Sequence, residues 1–324
     1  MAGFLLAVIV LHACNGSQGN GMLSSTGRGG EVLVVCSDKQ WKGELGDSLQ
    51  AILMQYTAIL PQYEPMFSLS HVSAERFNEI YQKQRNIIIL SIDPSLEKGK
   101  AKVERNQWVS PQLVMRISAN SAENLIAEVS ARQEVIIKYL IESEMSRYLK
   151  LQKRGQDFRK SQQLEKKFNI SLVVPEDFIF AVKDSNFCWL RRDIELGIQN
   201  IMIYTQDYVS TSQFSQKHIV QLRDSLTKRY VFGSVDSSYA TTEKKYLPPE
   251  VKQCFSFENI YAVRTVGLWE MEGESKGGPF VSFTLLDEAR NRVITLDAFL
   301  YAPGEKKRDM LRQLEAVLLG VRMI

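Results

Sequence analysis

Two stretches of this 324-residue chain open with short β-branched runs and continue into helical periodicity, and this repetition restricts the fold most strongly. The first run is 31–36 (EVLVVC) and the second is 170–175 (ISLVVP). Runs of this kind are typical of buried strands. The longest helical pattern begins at Ser121 and covers about 28 residues. The sequence therefore predicts an α+β fold with mixed or antiparallel sheets, helices packed on one face, and two related-looking halves.

Basic residues are concentrated between these halves. Residues 150–167 hold seven Lys or Arg and two Asp or Glu. The net charge of this segment is therefore +5, which exceeds the +3 carried by the whole chain. We place a basic linker or helix at 151–168, between an N-terminal half at 31–150 and a C-terminal half at 169–324. A solvated charged helix explains the segment, and contact with anionic lipid or an acidic partner is the alternative. The small net charge argues against nucleic acid as a partner.

The N-terminal residues have the pattern of an export signal. Residues 4–11 (FLLAVIVL) are too few to cross a bilayer but have the length of a signal-peptide core. The following Leu11-His12-Ala13-Cys14 resembles a bacterial lipobox, in which the cysteine is lipidated. Residues 15–30 contain six glycines and a single charge, which predicts a flexible tether. We therefore expect a signal peptide at 1–13 and a lipidated Cys14 with a tether at 14–30; an ordinary buried first element is the alternative.

The lipobox also predicts a location. Acyl chains on Cys14 would hold the protein at a membrane of the cell envelope. No acidic residue follows the cysteine closely, so we expect the protein to face the periplasm rather than the cell surface. The cysteines beyond it, Cys36, Cys188 and Cys254, are odd in number and widely spaced. We expect mostly buried free thiols, and whether two of the three pair stays open.

Four short segments carry a resemblance to a known family. They are the lipobox with Cys14, 60–67 (LPQYEPMF), 267–270 (GLWE) with 277–282 (GGPFVS), and 302–308 (APGEKKR). In this order the chain resembles the Bacteroidota lipoproteins grouped as the family of unknown function number 4837. The resemblance implies an exported lipoprotein and implies no activity.

The most unusual polar stretch is 269–279 (WEMEGESKGGP). If the strand persists, its alternating glutamates project on one side and could support a cation or an acid/base pair, whereas a solvated hairpin tip explains them equally well. The Gly-Gly pair could let a backbone or a ligand approach closely. Tryptophans could offer flat platforms to sugar rings, and Trp41, in a polar loop, is the one we expect to be exposed. The candidate binding residues are Trp41, Trp269, Glu270, Glu272, Gly277 and Gly278.

No catalytic motif stands out. His71 and His218 are the two histidines beyond the lipobox, and neither lies in a recognisable pattern. The sequence contains no nucleophile elbow, zinc-protease motif or phosphate loop, and no Cys-x-x-Cys pair. We therefore expect no catalytic residue, no metal and no cofactor.

Three functions are compatible with these features. The leading hypothesis is a non-catalytic, lipid-anchored envelope protein that binds an envelope protein or glycan. A hydrolase of envelope polymers using carboxylates near Glu270 and Glu272 is the first alternative. A periplasmic small-molecule carrier is the second, and it requires a cavity between the halves, walled by the helix after Ser121.

Overall fold

The computed structural model describes residues 22–57, 60–257 and 259–324. The predicted signal peptide, Cys14 and the first part of the predicted tether lie outside the described residues. Within these residues, the elements of the N-terminal half are β1 (Glu31–Val35), α1 (Asp38–Trp41), α2 (Glu44–Leu53), β2 (Ser68–Val72), β3 (Asn86–Ile92), β4 (Lys100–Arg105), β5 (Leu113–Ala119), α3 (Ala122–Ala131) and α4 (Gln133–Arg154).

The elements of the C-terminal half, again within the described ranges, are α5 (Phe158–Phe168), β6 (Ile170–Ser171), β7 (Ile179–Asp184), β8 (Phe187–Ile194), β9 (Gly197–Asp207), α6 (Gln216–Tyr230), β10 (Tyr239–Thr242), β11 (Glu250–Cys254), β12 (Ala262–Glu272), β13 (Glu274–Asp287), β14 (Arg292–Tyr301), α7 (Arg308–Leu319) and β15 (Arg322–Met323). Short 3₁₀ turns connect several of them. The predicted α+β class, with mixed and antiparallel sheets, is confirmed.

The N-terminal half is built on a mixed five-stranded sheet of order β2-β1-β3-β5-β4. β1, β2, β3 and β5 are parallel, and β4 is antiparallel to β5. Helices α2, α3 and α4 bury their apolar sides against one face of this sheet. The single long helix predicted after Ser121 is instead two helices, because the backbone N–H of Arg132 bonds to the carbonyl oxygen of Val129 and the chain turns there.

The C-terminal half contains an eight-stranded antiparallel sheet of order β10-β12-β13-β14-β9-β8-β7, with β11 paired to β12. Helices α5 and α7 cover one face. The other face is covered by α6, through Leu222, Leu226 and Tyr230. The prediction of helices on one face is therefore wrong for this half, because its central strands are buried on both sides. The two halves also differ in strand direction, so they are not related in topology.

The basic segment at 151–168 is helical except for a short turn. It comprises the end of α4 and the whole of α5, separated by a turn at Gly155. Leu164 and Phe168 point into the C-terminal core, while most of the basic side chains are exposed. Asp157 caps α5 by accepting hydrogen bonds from the backbone N–H groups of Arg159 and Lys160.

The described part of the predicted tether contacts the folded body. The backbone of Thr26 exchanges hydrogen bonds with Lys83 and Arg85, and the carbonyl oxygen of Leu23 accepts one from Ser110. The flexible tether predicted for 14–30 therefore does not extend over residues 22–30. Glycine-rich composition indicated mobility, but these backbone groups find partners across the edge of the N-terminal half.

Two of the segments that carried the family resemblance meet where the halves contact each other. The buried Glu64 carboxylate accepts hydrogen bonds from the backbone N–H groups of Lys307 (2.6 Å) and Arg308 (3.1 Å), at the start of α7. The guanidinium of Arg308 donates to the carbonyl oxygen of Pro65 (2.9 Å). A carboxylate at a helix N-terminus satisfies free N–H groups and the helix dipole, so the N-terminal half caps a helix of the C-terminal half.

Candidate functional site

The two candidate carboxylates, Glu270 and Glu272, lie near the end of β12 and are exposed. Residues alternate across a strand, so both project from the face opposite to Trp269 and Met271, which are buried. The third glutamate of the stretch, Glu274, follows a turn at Gly273 with φ of 83° and starts the next strand. The predicted row of three carboxylates on one side is therefore broken at the turn.

Glu274 instead holds a neighbouring loop. Its carboxylate accepts hydrogen bonds from the backbone N–H groups of Ser234 and Val235 and from the Ser238 hydroxyl, and Lys276 lies 2.6 Å away. The hydrogen bond from Lys276 lowers the pKa of this carboxyl most, the other hydrogen bonds lower it further, and together they hold it well below its usual range. Only 7 % of its side chain is exposed, so its role is structural.

The face that carries Trp269 forms an aromatic cleft, and this is the candidate binding site. The register of β8, β9, β14 and β12 brings Trp189, Trp269, Phe299 and Tyr301 to one end of the sheet. The loop after α6 closes one side with Phe232, which is 66 % exposed. The cleft has a volume of about 300 Å³. We call this site, with its rim residues, the aromatic cleft.

Hydrogen bonds fix the ring orientations in the aromatic cleft. The indole N–H of Trp269 donates to the carbonyl oxygen of Leu300 (3.0 Å), and that of Trp189 donates to the Asn200 side chain (3.1 Å). The ring of Trp269 also meets the edge of Phe299 at a centroid distance of 5.6 Å. Because both indole N–H groups are occupied, the cleft offers a ligand aromatic surface rather than indole donors.

Two cations line the rim of the aromatic cleft. Arg191 lies on β8 and pairs with Asp193 at 2.8 Å, and Lys276 pairs with Glu274. Arg191 is part of the alternation Phe187, Trp189, Arg191 along β8, in which all three side chains share the face of the cleft. That alternation is visible in the sequence and was the signal from which Trp189 and Arg191 could have been found.

The glycine pair accommodates neighbouring backbone. A Cβ at Gly278 would overlap the carbonyl oxygen of Leu300, and one at Gly277 would lie 2.7 Å from the carbonyl oxygen of Trp269. Both glycines lie inside β13 rather than in a turn. They therefore permit close strand packing behind the aromatic cleft, and the approaching group is a backbone.

Trp41 lies in the other half of the protein and is only partly exposed. Its ring stacks on His71 at a centroid distance of 5.0 Å and packs against the N-terminal core. The prediction of an exposed platform is wrong because β2 pairs in parallel with β1 and places His71 beside the end of α1. The structure does not bring Trp41 together with Trp269.

Three further observations concern metal ligands, membrane-spanning helices and thiols in the described residues. Among residues 22–57, 60–257 and 259–324, no group of three or more His, Cys, Asp or Glu side chains is placed to hold a metal ion. No helix within those ranges is long and apolar enough to cross a membrane. Cys36, Cys188 and Cys254 are free thiols, the first two buried and the third partly buried.

Comparison with family models assigns the chain to a class whose function is not known. The chain belongs to the family of the domain of unknown function DUF4837, whose model matches residues 157–320. A second model, the domain of unknown function DUF8532, matches residues 25–153. The predicted membership of an unknown-function family is confirmed, while the Bacteroidota lipoprotein origin stays a prediction. No curated protein matches the chain.

Solved structures resemble the chain only weakly. The Ran-binding protein Mog1p of Saccharomyces cerevisiae is 12% identical, with a TM-score of 0.31 over 48% of this chain and 90% of that one. A Bacteroides thetaiotaomicron protein is 12% identical, with a TM-score of 0.20 over 48% and 45%. Human STARD10 is 8% identical, with a TM-score of 0.23 over 50% and 80%. Likenesses at these TM-scores carry no argument about function.

Proposed function

We propose that this protein is a lipid-anchored component of the cell envelope that binds a glycan in the aromatic cleft without catalysing a reaction. The observation that carries the proposal is the convergence of four aromatic side chains from three strands, β8, β12 and β14, on one small cleft. The lipobox-like segment ending at Cys14 supports the anchor. No Asp or Glu is among the described residues that line the cleft, and this supports binding rather than hydrolysis.

The dimensions and charges of the cleft favour a sugar. The volume of about 300 Å³ lies at the lower end of the range of small-molecule sites in proteins, which suits a unit as small as one sugar ring. The faces of sugar rings are apolar and pack on aromatic rings. At the rim, Arg191 donates to Asp193 through Nε and one terminal nitrogen, and its other terminal nitrogen has no partner among the described residues, so it can donate to a polar group of the sugar.

A hydrolase using Glu270 and Glu272 is less well supported. General acid/base catalysis requires both carboxyl groups to reach the substrate. These two are exposed on the opposite face of β12 from the cleft. A substrate held on the aromatic rings would therefore be separated from them by the sheet.

Sedimentation with purified peptidoglycan sacculi tests the proposed binding. We expect Trp189→Ala to weaken sedimentation about thirtyfold, equivalent to ~2 kcal/mol, as for a central aromatic contact in an interface. Trp41→Ala is the matched control, because Trp41 is also half-buried and lies in the other half. Equal binding by both variants would refute a glycan site in the cleft, and crosslinking in cells would then test a protein partner.

The anchor has its own test. Metabolic labelling with a palmitate analogue should modify the wild-type chain and leave Cys14→Ala unlabelled and released from membranes. Labelling of the variant, or its retention in washed membranes, would contradict lipidation at this cysteine. Failure here leaves the cleft proposal intact, since the two rest on different residues.

A further inference from the structure

A second cavity, of about 560 Å³, lies between the two halves. Helix α4 contributes Ile141 and Met145, and helix α7 contributes Leu311 and Leu319. The face of the C-terminal sheet opposite to the aromatic cleft forms the floor. We call this site the inter-half cavity. It lies where a carrier requires a cavity, against the helix that follows Arg132.

One part of the lining of the inter-half cavity is apolar and closely packed. Phe283 is fully buried, Val266 is 3% exposed and Leu311 is 4% exposed. At roughly 30 Å³ for each non-hydrogen atom, the volume holds about nineteen atoms. That matches a molecule with one medium acyl chain, and a phospholipid with two chains is too large. The volume also lies within the range of small-molecule sites in proteins.

Charged residues at this cavity are predominantly basic. Four cations and two carboxylates line it: Lys252, Arg264, Arg308, Arg312, Glu250 and Glu315. Hydrogen bonds to the backbone orient two of the arginines, because Arg308 donates to the carbonyl oxygen of Pro65 and Arg312 donates to that of Met66. Burial, and then the nearby Arg308, lower the pKa of Arg312. An anion in the cavity would relieve this repulsion.

Arg264 has N–H groups without hydrogen-bond partners among the described residues. Its Nε donates to Glu315 at 2.6 Å, and its two terminal nitrogens form no hydrogen bond with any residue that the structure describes. Its side chain is 35% exposed, so it lies between the apolar walls and the solvent. A guanidinium in that position can bind a carboxylate at the mouth while the attached chain occupies the interior.

We propose that the inter-half cavity binds a single-chain amphipathic carboxylate, with its head group at Arg264 and its acyl chain along Met66, Ile141 and Leu319, the apolar lining residues that are only partly buried. This function goes beyond glycan binding in the aromatic cleft and uses separate residues. The protein would then hold an acyl carboxylate at the junction of its two halves.

Binding of decanoate and of 1-decanol tests the proposal. The full chain carrying Cys14→Ala avoids detergent, and displacement of 1-anilinonaphthalene-8-sulfonate reports occupancy. We expect Arg264→Met to weaken decanoate at least tenfold, the loss of one charge-assisted hydrogen bond, and to leave decanol within twofold. Glu315→Gln should tighten decanoate, because it removes the competing carboxylate. This opposite sign separates a binding role from general destabilisation.

A larger side chain in the inter-half cavity provides a second test of the proposal. Met145→Trp should weaken both ligands, while Trp189→Ala, in the aromatic cleft, should change neither. The proposal is overturned if Arg264→Met affects decanoate and decanol equally, if Glu315→Gln weakens decanoate, or if Met145→Trp binds both normally. Loss of sacculus binding by Trp189→Ala would still support the glycan function, so the two proposals fail independently.

Discussion

The buried ion pair beneath α6 allows the sharpest test of how the C-terminal half is stabilised. Arg223 is 1% exposed and Asp297 is fully buried, and the Nε of Arg223 donates to the carboxylate at 2.9 Å. Arg223 also donates to the Thr242 hydroxyl (3.1 Å) and lies over the Phe280 ring at 4.1 Å. Breaking such a pair from one side leaves an uncompensated buried charge and costs about 3–5 kcal/mol.

We therefore expect Arg223→Met to lower the free energy of unfolding by about 3–5 kcal/mol at pH 7, measured by urea denaturation with tryptophan fluorescence. The double variant Arg223→Met/Asp297→Asn should recover most of this loss, because no buried charge remains. A double variant as unstable as the single one would show that packing, rather than charge, dominates at this site.

The loss should also depend on pH. Burial raises the pKa of Asp297, and the Arg223 guanidinium opposes that rise, so removing Arg223 raises it further. A carboxyl whose native pKa exceeds its unfolded value destabilises the fold above the native pKa and stops doing so as pH falls toward the unfolded value. The deficit of Arg223→Met should therefore shrink between pH 7 and pH 5, by at most about 1.4 kcal/mol for each pH unit. A deficit independent of pH would refute the reasoning.

Three further predictions concern single residues. In the Cys14→Ala chain, Cys254 should react with Ellman's reagent before Cys36 and Cys188, because burial raises the pKa of the Cys36 thiol to about 11 and that of the Cys188 thiol to about 12. Simultaneous reaction of all three thiols in the folded protein would contradict this prediction. Gly278→Ala should destabilise the protein by roughly 1–3 kcal/mol in thermal unfolding, whereas Gly155→Ala, which has room for a Cβ, should be nearly neutral. The pKa of Glu274 is lowered from 4.5, so its ionised carboxylate stabilises the folded protein above that pH, and this stabilisation is lost as pH falls through the pKa of the folded state. The difference in free energy of unfolding between wild type and Glu274→Gln should therefore become smaller in acid. A difference that does not change with pH would contradict this prediction.

Local patterns predicted the strands better than the site. The run at 31–36, which became β1, is apolar from Val32 onward, and such runs are recognisable because parallel strands are buried on both faces. The aromatic cleft is assembled from strands far apart in sequence, so Trp269 was found as a single residue and Trp189 was missed. The pairing of Arg223 with Asp297 spans 74 residues and leaves no local signal.

Trp41 shows that neighbours in sequence do not predict whether a side chain is exposed. Polar neighbours in sequence predicted exposure, but a ring takes its surroundings from the tertiary fold, and here the partner is His71. The exposed Glu270 and Glu272 illustrate the complementary case. Strand alternation predicted correctly that they share a face, yet only the sheet shows which face it is.

The cap that Glu64 provides to α7 couples the two halves, which match separate family models, at the start of one helix. Helix α7 covers the core of the C-terminal sheet, so a fragment limited to 157–320 would lose the acceptor for the first N–H groups of that helix. Such a fragment should fold poorly alone and gain structure when the N-terminal fragment is supplied as a separate chain. A substitution of Glu64 would therefore act on the start of a helix that lies more than 240 positions away in the sequence.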